Sequence, residues 1–512
     1  MGRGSHARLL LRAAHPPIVT DWRVVTAVVG VYLAVTLVIG LLPGRRASGT
    51  VAGYVAGDRG FGTVVMYFVM GASVFSAFAF LGGPGWAYSR GAACFYILSY
   101  GVLGMAPYLF LGPWAARVGR KGGYVTQASM LADRFANRWV AVVAGIVSVV
   151  ATLPYVALQM KGAGIVIAQV TGGHIPEWLG AAAAYAVVLT YVWHSGVMGV
   201  GWSNVFQGAF MIVIAWALGL YVPYHLYGGV GAMFHKIAAA RPELLTVPGL
   251  GPDGATRWTF GAYSSAILVS SIGLMMWPHL FMKAFAAKSD GTIRRMITLY
   301  PSFQVFLVPL FIVGFAGVLF TPAPSTPDAV MPHIILSTGL PALVVGLFCA
   351  GALAAGMSTG DALVHGGAAI AVEDIYTQLS GRRIDDERRR DMIRWLAVAT
   401  GIAGYAMALV TGRSLVGLLL LAYGAIVQLA PAVYLGFLWR RATGAGIVAG
   451  LVVGCALTGL LVIQPHWRPW GIHEGLVGLA ANLVAVLVVS LATRPPDAAA
   501  VAEWWRVSRS PD

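Results

Sequence analysis

The run Ala354-Ala355-Gly356-Met357-Ser358-Thr359-Gly360-Asp361, with His365 four positions later, is the densest polar group in an otherwise apolar stretch. Residues three and four apart share a helix face. Ala355 therefore lies near Ser358 and Thr359, Ser358 near Asp361, and Asp361 near His365. One carbonyl and two hydroxyls on a single turn are hard, neutral oxygen ligands that suit a small cation such as Na⁺. The plainer alternative is that the hydroxyls bond back to carbonyls of their own helix. Asp361 has no such plain alternative, because a carboxylate inside an apolar span is costly and usually functional. The spacing predicts that Asp361 and His365 form an internal polar pair with a part in coupling.

Two other apolar stretches carry signals of a broken helix. One reads Gly71-Ala72-Ser73-Val74-Phe75-Ser76 and then Gly82-Gly83-Pro84-Gly85. The other has Ser264-Ser265 and Ser270-Ser271-Ile272-Gly273, and closes on Trp277-Pro278-His279. Breaks at matching positions in two halves of a chain mark the central site of a transporter. Small residues also let helices pack closely, and the matching positions weigh against that simpler reading. Lys161, in Gln159-Met160-Lys161-Gly162, lies about eight residues, or about 12 Å of helix rise, from the end of its span. It either snorkels to the surface or supplies the positive charge that a buried anion needs. Ser73, Ser76, Ser264 and Gln428 are candidate solute contacts by position. His194 and His279 sit near helix ends and read as interfacial, and Glu373 and Asp374 as facing water. Gly446, Gly450 and Gly454 form a packing stripe.

These groups need elements to hold them, and composition says in which solvent. Of 512 residues, 58% are hydrophobic and 10% charged, against roughly 25% charged in a soluble domain. Lipid must surround most of the chain. Thirteen stretches reach the roughly 20 apolar residues of a spanning helix. The first is at 24–42 and the last at 473–494; the broken ones are the second (61–82) and seventh (260–287), and the Ser358 run lies in the ninth (341–372). The N-terminal 22 residues hold Arg3, Arg8 and Arg12 but a run of just three leucines, too short for a secretory signal.

An odd number of spans puts the termini on opposite sides. Most of the 34 Lys and Arg fall in one set of alternate loops, chiefly Arg117–Lys121, Lys283–Arg295 and Arg382–Arg394. The positive-inside rule then places the C-terminus in the cytoplasm and the N-terminus outside a cell membrane, of the bacterial inner-membrane kind. The net charge of +15 is thereby a matter of orientation rather than of nucleic-acid binding. The predicted layout is an extracytoplasmic tail at 1–22, one transmembrane unit at 23–495 and a cytoplasmic tail at 496–512. Cys94, Cys349 and Cys455 lie too far apart in sequence to suggest a disulfide framework or a zinc site. No His-Glu-x-x-His element is present and His and Cys are not clustered, which argues against a membrane-embedded enzyme. A transporter-like sensor would need an output domain, and the chain ends about 18 residues after the last span.

The order of four elements resembles the sodium:solute symporter family. They are Gly71–Tyr88; Gly122-Gly123-Tyr124-Val125-Thr126 leading to Asp133-Arg134-Phe135; Trp277-Pro278-His279; and Ala354–Thr359 followed by Glu373-Asp374-Ile375-Tyr376. The likeness covers about 40–480. Phe80-Leu81-Gly82-Gly83-Pro84-Gly85-Trp86-Ala87-Tyr88 is similar to the branch that imports monocarboxylates. The resemblance implies an all-α polytopic membrane protein of the leucine-transporter type, with two inverted five-helix repeats (about 61–224 and 260–439) whose first helices are broken. It implies a sodium site formed by Ala72, Phe75, Ala355, Ser358 and Thr359. Sodium would be the coupling ion, a small organic solute the cargo, and no cofactor would be needed. Two places depart from the family pattern: Val74 stands where some members carry Asp, and the run Trp202-Ser203-Asn204-Val205-Phe206-Gln207 stands where many have an Asp before a Gln. One sodium per solute is the resulting expectation, and proton-coupled uptake of another solute such as an amino acid is the alternative.

Overall fold

The computed structural model describes residues 21–46, 49–381 and 384–510. The expected N-terminal tail lies outside the described residues except for its last two, as do Arg382 and Arg383 of the basic run. Among the described residues the chain is helical, with isolated bridges in place of any sheet. Nine helices among the described residues are long and apolar enough to cross a membrane, or eleven if each of two bent pairs counts as one span.

Thirteen spans are thus not reached on length and composition, and two places account for the difference. Glu177–Tyr227 forms one element of 51 residues, about 77 Å of rise where about 30 Å of hydrocarbon must be crossed. It reverses at Gly196, whose φ of 52° and ψ of −141° are not helical. An added Cβ there would lie 2.5 Å from the Tyr54 carbonyl oxygen. The region from Tyr96 to Gly122 is divided at Ala106 and Pro107 into two shorter helices.

Both predicted breaks are present. Thr63–Val74 and Phe78–Met105 meet at 58°, and Phe260–Leu274 and Pro278–Ala286 at 47°. In the first, Phe75 is extended (φ −94°, ψ 90°) and ends the helix. In the second, Pro278 offers no N–H and forces Trp277 out of the helical region, at ψ 120°. Between them runs Ala342–Ile370, buried from Phe348 to Ile370 and packed against Arg138–Val170, Glu177–Tyr227 and Trp22–Leu41. The glycine stripe lies against Glu474–Ala492, with Gly450 meeting Asn482 and Val486.

The contacts sort the loops onto two faces. On one, Arg117 and Arg120 bind Asp290 at 2.5 and 2.8 Å, Arg117 also holds the Ser508 carbonyl, and Lys121 pairs with Glu503. Arg389 binds Glu373 at 2.9 Å on this face too, and Arg394 the Trp193 carbonyl. On the other face Trp22 stacks on His174 and Arg90 holds the Leu250 carbonyl.

Candidate functional site

The break at Phe75 ends a helix inside the protein, where its last carbonyls have lost their intrahelical donors. The ninth predicted span answers them. Ser358 Oγ donates to the Ala72 carbonyl at 2.9 Å and Thr359 Oγ1 to the same oxygen at 3.2 Å. Ser358 Oγ also reaches the Ala355 carbonyl at 3.2 Å. Ala72, Ala355, Ser358 and Thr359 are all fully buried. Four neutral oxygens from two elements thus meet at one point, with no carboxylate among them. Phe75 stands at the break itself, its ring stacked on Tyr300 and Phe303 at 5.8 and 5.7 Å. Neither hydroxyl bonds its carbonyl.

Two side chains beyond the expected set support this point. Asn204 Nδ2 donates to Ser73 Oγ and to the Ser358 carbonyl, each at 3.2 Å. The sequence flags the Trp202–Gln207 run as a departure from pattern, but the reach of Asn204 to both elements is visible in three dimensions alone. Gln159 Oε1 accepts from the Ala77 backbone N–H at 2.9 Å, capping the second half of the broken helix. Ser73 and Ser76 are both buried beside this break, and Ser76 Oγ accepts from the Phe78 N–H.

Asp361 and His365 are buried within the protein rather than turned to lipid, but they do not bond to each other. Asp361 Oδ2 accepts from Tyr191 Oη at 2.7 Å and Ser203 Oγ at 3.3 Å. His365 lies edge-on to Tyr54, with ring centroids 5.1 Å apart. A spacing of four permits contact, and here neighbouring elements offer each group a separate partner.

The structure does not bring the other predicted solute contacts to the break. Lys161 Nζ donates to the carbonyls of Thr411 and Arg413 at 3.3 and 2.7 Å; it snorkels to a loop, as its long stem allows. Ser264 is exposed, whereas its neighbour Ser265 is buried. Gln428 is buried among the last helices, donating to the carbonyls of Gly424 and Gly475 and to Thr458 Oγ1. His279 is buried instead of interfacial. Asp374 is buried instead of water-facing, and accepts from Thr126 Oγ1 at 2.6 Å.

Aromatic rings fill the space between the two breaks. Trp277 lies 4.8 Å from Tyr155 and 5.7 Å from Tyr423, and Tyr423 lies 5.7 Å from Tyr100. At the end of the broken helix the buried Arg90 guanidinium lies 3.7 Å from the Trp86 ring and 4.3 Å from that of Trp258, the two rings being set edge to face. Single residues scattered over separate elements give no sequence signal for such a cluster.

Residues 54–454 match the Sodium:solute symporter family. A Bacillus subtilis (strain 168) protein described as an uncharacterized symporter, YhjB, is 28% identical over 87% of this chain and 92% of its own. The monocarboxylate transport permease protein of Rhizobium johnstonii is 26% identical over 85% and 89%. The high-affinity proline transporter PutP of Bacillus subtilis (strain 168) is 24% identical over 90% and 97%. Among solved structures, a Na⁺-coupled sialic acid symporter in its substrate-bound outward-open state superposes with a TM-score of 0.77. It is 20% identical, over 92% of this chain and 98% of that one.

Proposed function

The chain belongs to the sodium:solute symporter family and has the leucine-transporter-type fold, and from that premise we propose that it is a sodium-coupled symporter of a small monocarboxylate working by alternating access. It is a multi-pass membrane transporter, not an enzyme. The observation that carries the reading is the Ala72 carbonyl held by Ser358 and Thr359. A sodium ion accepted by these oxygens and those of Ala355 and Phe75 ties the broken helix to the ninth predicted span. Occupancy of the ion site and the shape of the solute site then change together. The energy suffices: one charge moving through 100 mV gains about 2.3 kcal/mol before any concentration term.

The aromatic cluster between the breaks suits the apolar body of a small organic acid, and the broken helices' free N–H groups suit its charge. Arg90 takes the role that Lys161 does not fill: it is buried, and its Nη2 has no partner. The likeness to a monocarboxylate permease favours an acid; the comparable likeness to a proline transporter makes an amino acid the second reading. The orientation is N-terminus outside and C-terminus cytoplasmic, since the face rich in Arg117, Lys121, Arg389 and Arg394 also carries the C-terminal helix. Purified protein in liposomes tests the proposal, with radiolabelled pyruvate, lactate, propionate and proline offered under an inward sodium gradient. Sodium-driven accumulation of an acid supports it. Accumulation of proline alone selects the amino-acid reading, and full uptake on a pH gradient without sodium overturns sodium coupling.

A further inference from the structure

One turn past the candidate sodium ligands and across a narrow cleft, two buried ionisable side chains, Asp361 and Lys283, have no direct bond to each other. Asp361 shares a helix face with Ser358, three residues back. Its Oδ2 is held by Tyr191 and Ser203, while its Oδ1 is buried without a partner. Lys283, on the far half of the second broken span, is also buried, and its ammonium nitrogen forms neither a hydrogen bond nor an ion pair among the described residues. Ala362, the residue next to Asp361, and His365, one turn further on, border the same cleft as Lys283. Lys283 lines a narrow cleft with His279, His365, Ala362 and Met282. Both imidazoles lack a hydrogen bond of ordinary geometry. The cleft offers about 10 Å³ to the centre of a water molecule, room for about one water and not for an organic solute.

An unpaired buried charge is expensive, and a buried pair is kept where both members compensate each other. A sodium ion on the Ala72, Ala355, Ser358 and Thr359 oxygens would have no carboxylate ligand; Asp361, one turn away, would be the nearest anion on its own helix. With the ion gone, Lys283 is what balances that carboxylate. We propose that Lys283 is a tethered counter-cation for Asp361: its ammonium supplies the charge a second sodium would otherwise bring, and it limits the carrier to one bound sodium. This rests on the sodium-site reading above.

Equilibrium binding of radiolabelled sodium to the purified full-length chain tests it. Wild type and Lys283→Arg should each bind about one ion. Lys283→Met should bind about two, because removing one partner leaves an uncompensated buried charge. Lys283→Met with Asp361→Asn should return to about one. One ion bound by Lys283→Met with Asp361 intact overturns the proposal. If Lys283→Met does not fold, recovery of folded, one-ion protein in the double variant supports it, and failure of that rescue overturns it. Wild-type binding that is absent, or that survives Ser358→Ala with Thr359→Ala, overturns the sodium-site reading instead, and this proposal with it.

Discussion

Ser358 Oγ donates to the Ala72 carbonyl at 2.9 Å across 286 positions of sequence. This bond joins the frayed end of a broken helix to an unbroken one, at a point where Thr359 and Ala355 supply further oxygens. Removing both hydroxyls by Ser358→Ala with Thr359→Ala should raise the half-saturating sodium concentration at least tenfold, about 1.4 kcal/mol. The protein should still reach the membrane. Uptake measured against sodium concentration checks this, and an unchanged sodium dependence would remove the ion from this place.

Asp361 is held by Tyr191 at 2.7 Å in a buried hydrogen bond. Leaving one partner of such a bond unsatisfied costs about 1–3 kcal/mol. Asp361→Asn should therefore reduce transport strongly, and Tyr191→Phe should reduce it less, because Ser203 still donates. Transport rates normalised to the amount of folded protein in the membrane decide it. Parental rates in both variants would make the group purely structural.

Arg90 and Lys161 give opposite expectations. Arg90→Met should lower uptake of a monocarboxylate by about ten- to a hundredfold, the value of a hydrogen bond to a charged group, and spare its uncharged amide. Lys161→Met should change neither by more than about twofold, as for other surface positions. Equal loss of acid and amide in Arg90→Met would mean that the guanidinium serves just to pin Trp258 and the Leu250 loop.

Gly196 turns the chain between two crossings at a positive φ of 52°. Gly196→Ala meets a backbone conformation that is nearly Gly-only, at a cost of order ~1–3 kcal/mol, and a backbone clash at 2.5 Å from the Tyr54 carbonyl. The unfolding midpoint in detergent should fall. A midpoint equal to that of wild type would show that the two crossings can be joined another way.

The sequence by itself determined the solvent, the helical class and both breaks. Lipid leaves a backbone no external partners, so apolar length and the Phe75 and Trp277-Pro278 interruptions are legible without coordinates. It also determined the shared face of Ala355, Ser358 and Thr359, because a helix fixes which residues are neighbours. The tertiary structure alone decided which element answers that face. The Ala72 carbonyl, the bridging amide of Asn204 and the cap from Gln159 come from three other elements, and a packed interface of mutually buried residues leaves no periodicity to read. The same limit explains the corrections. Asp361 and His365 have the right spacing, but Tyr191 and Tyr54 on other elements take one each. Lys161 has the right depth along its helix, but the loop at Thr411 and Arg413 lies within reach of its stem and satisfies the charge. Spacing along a helix says what two groups can do; the partners that the other helices offer decide what they do.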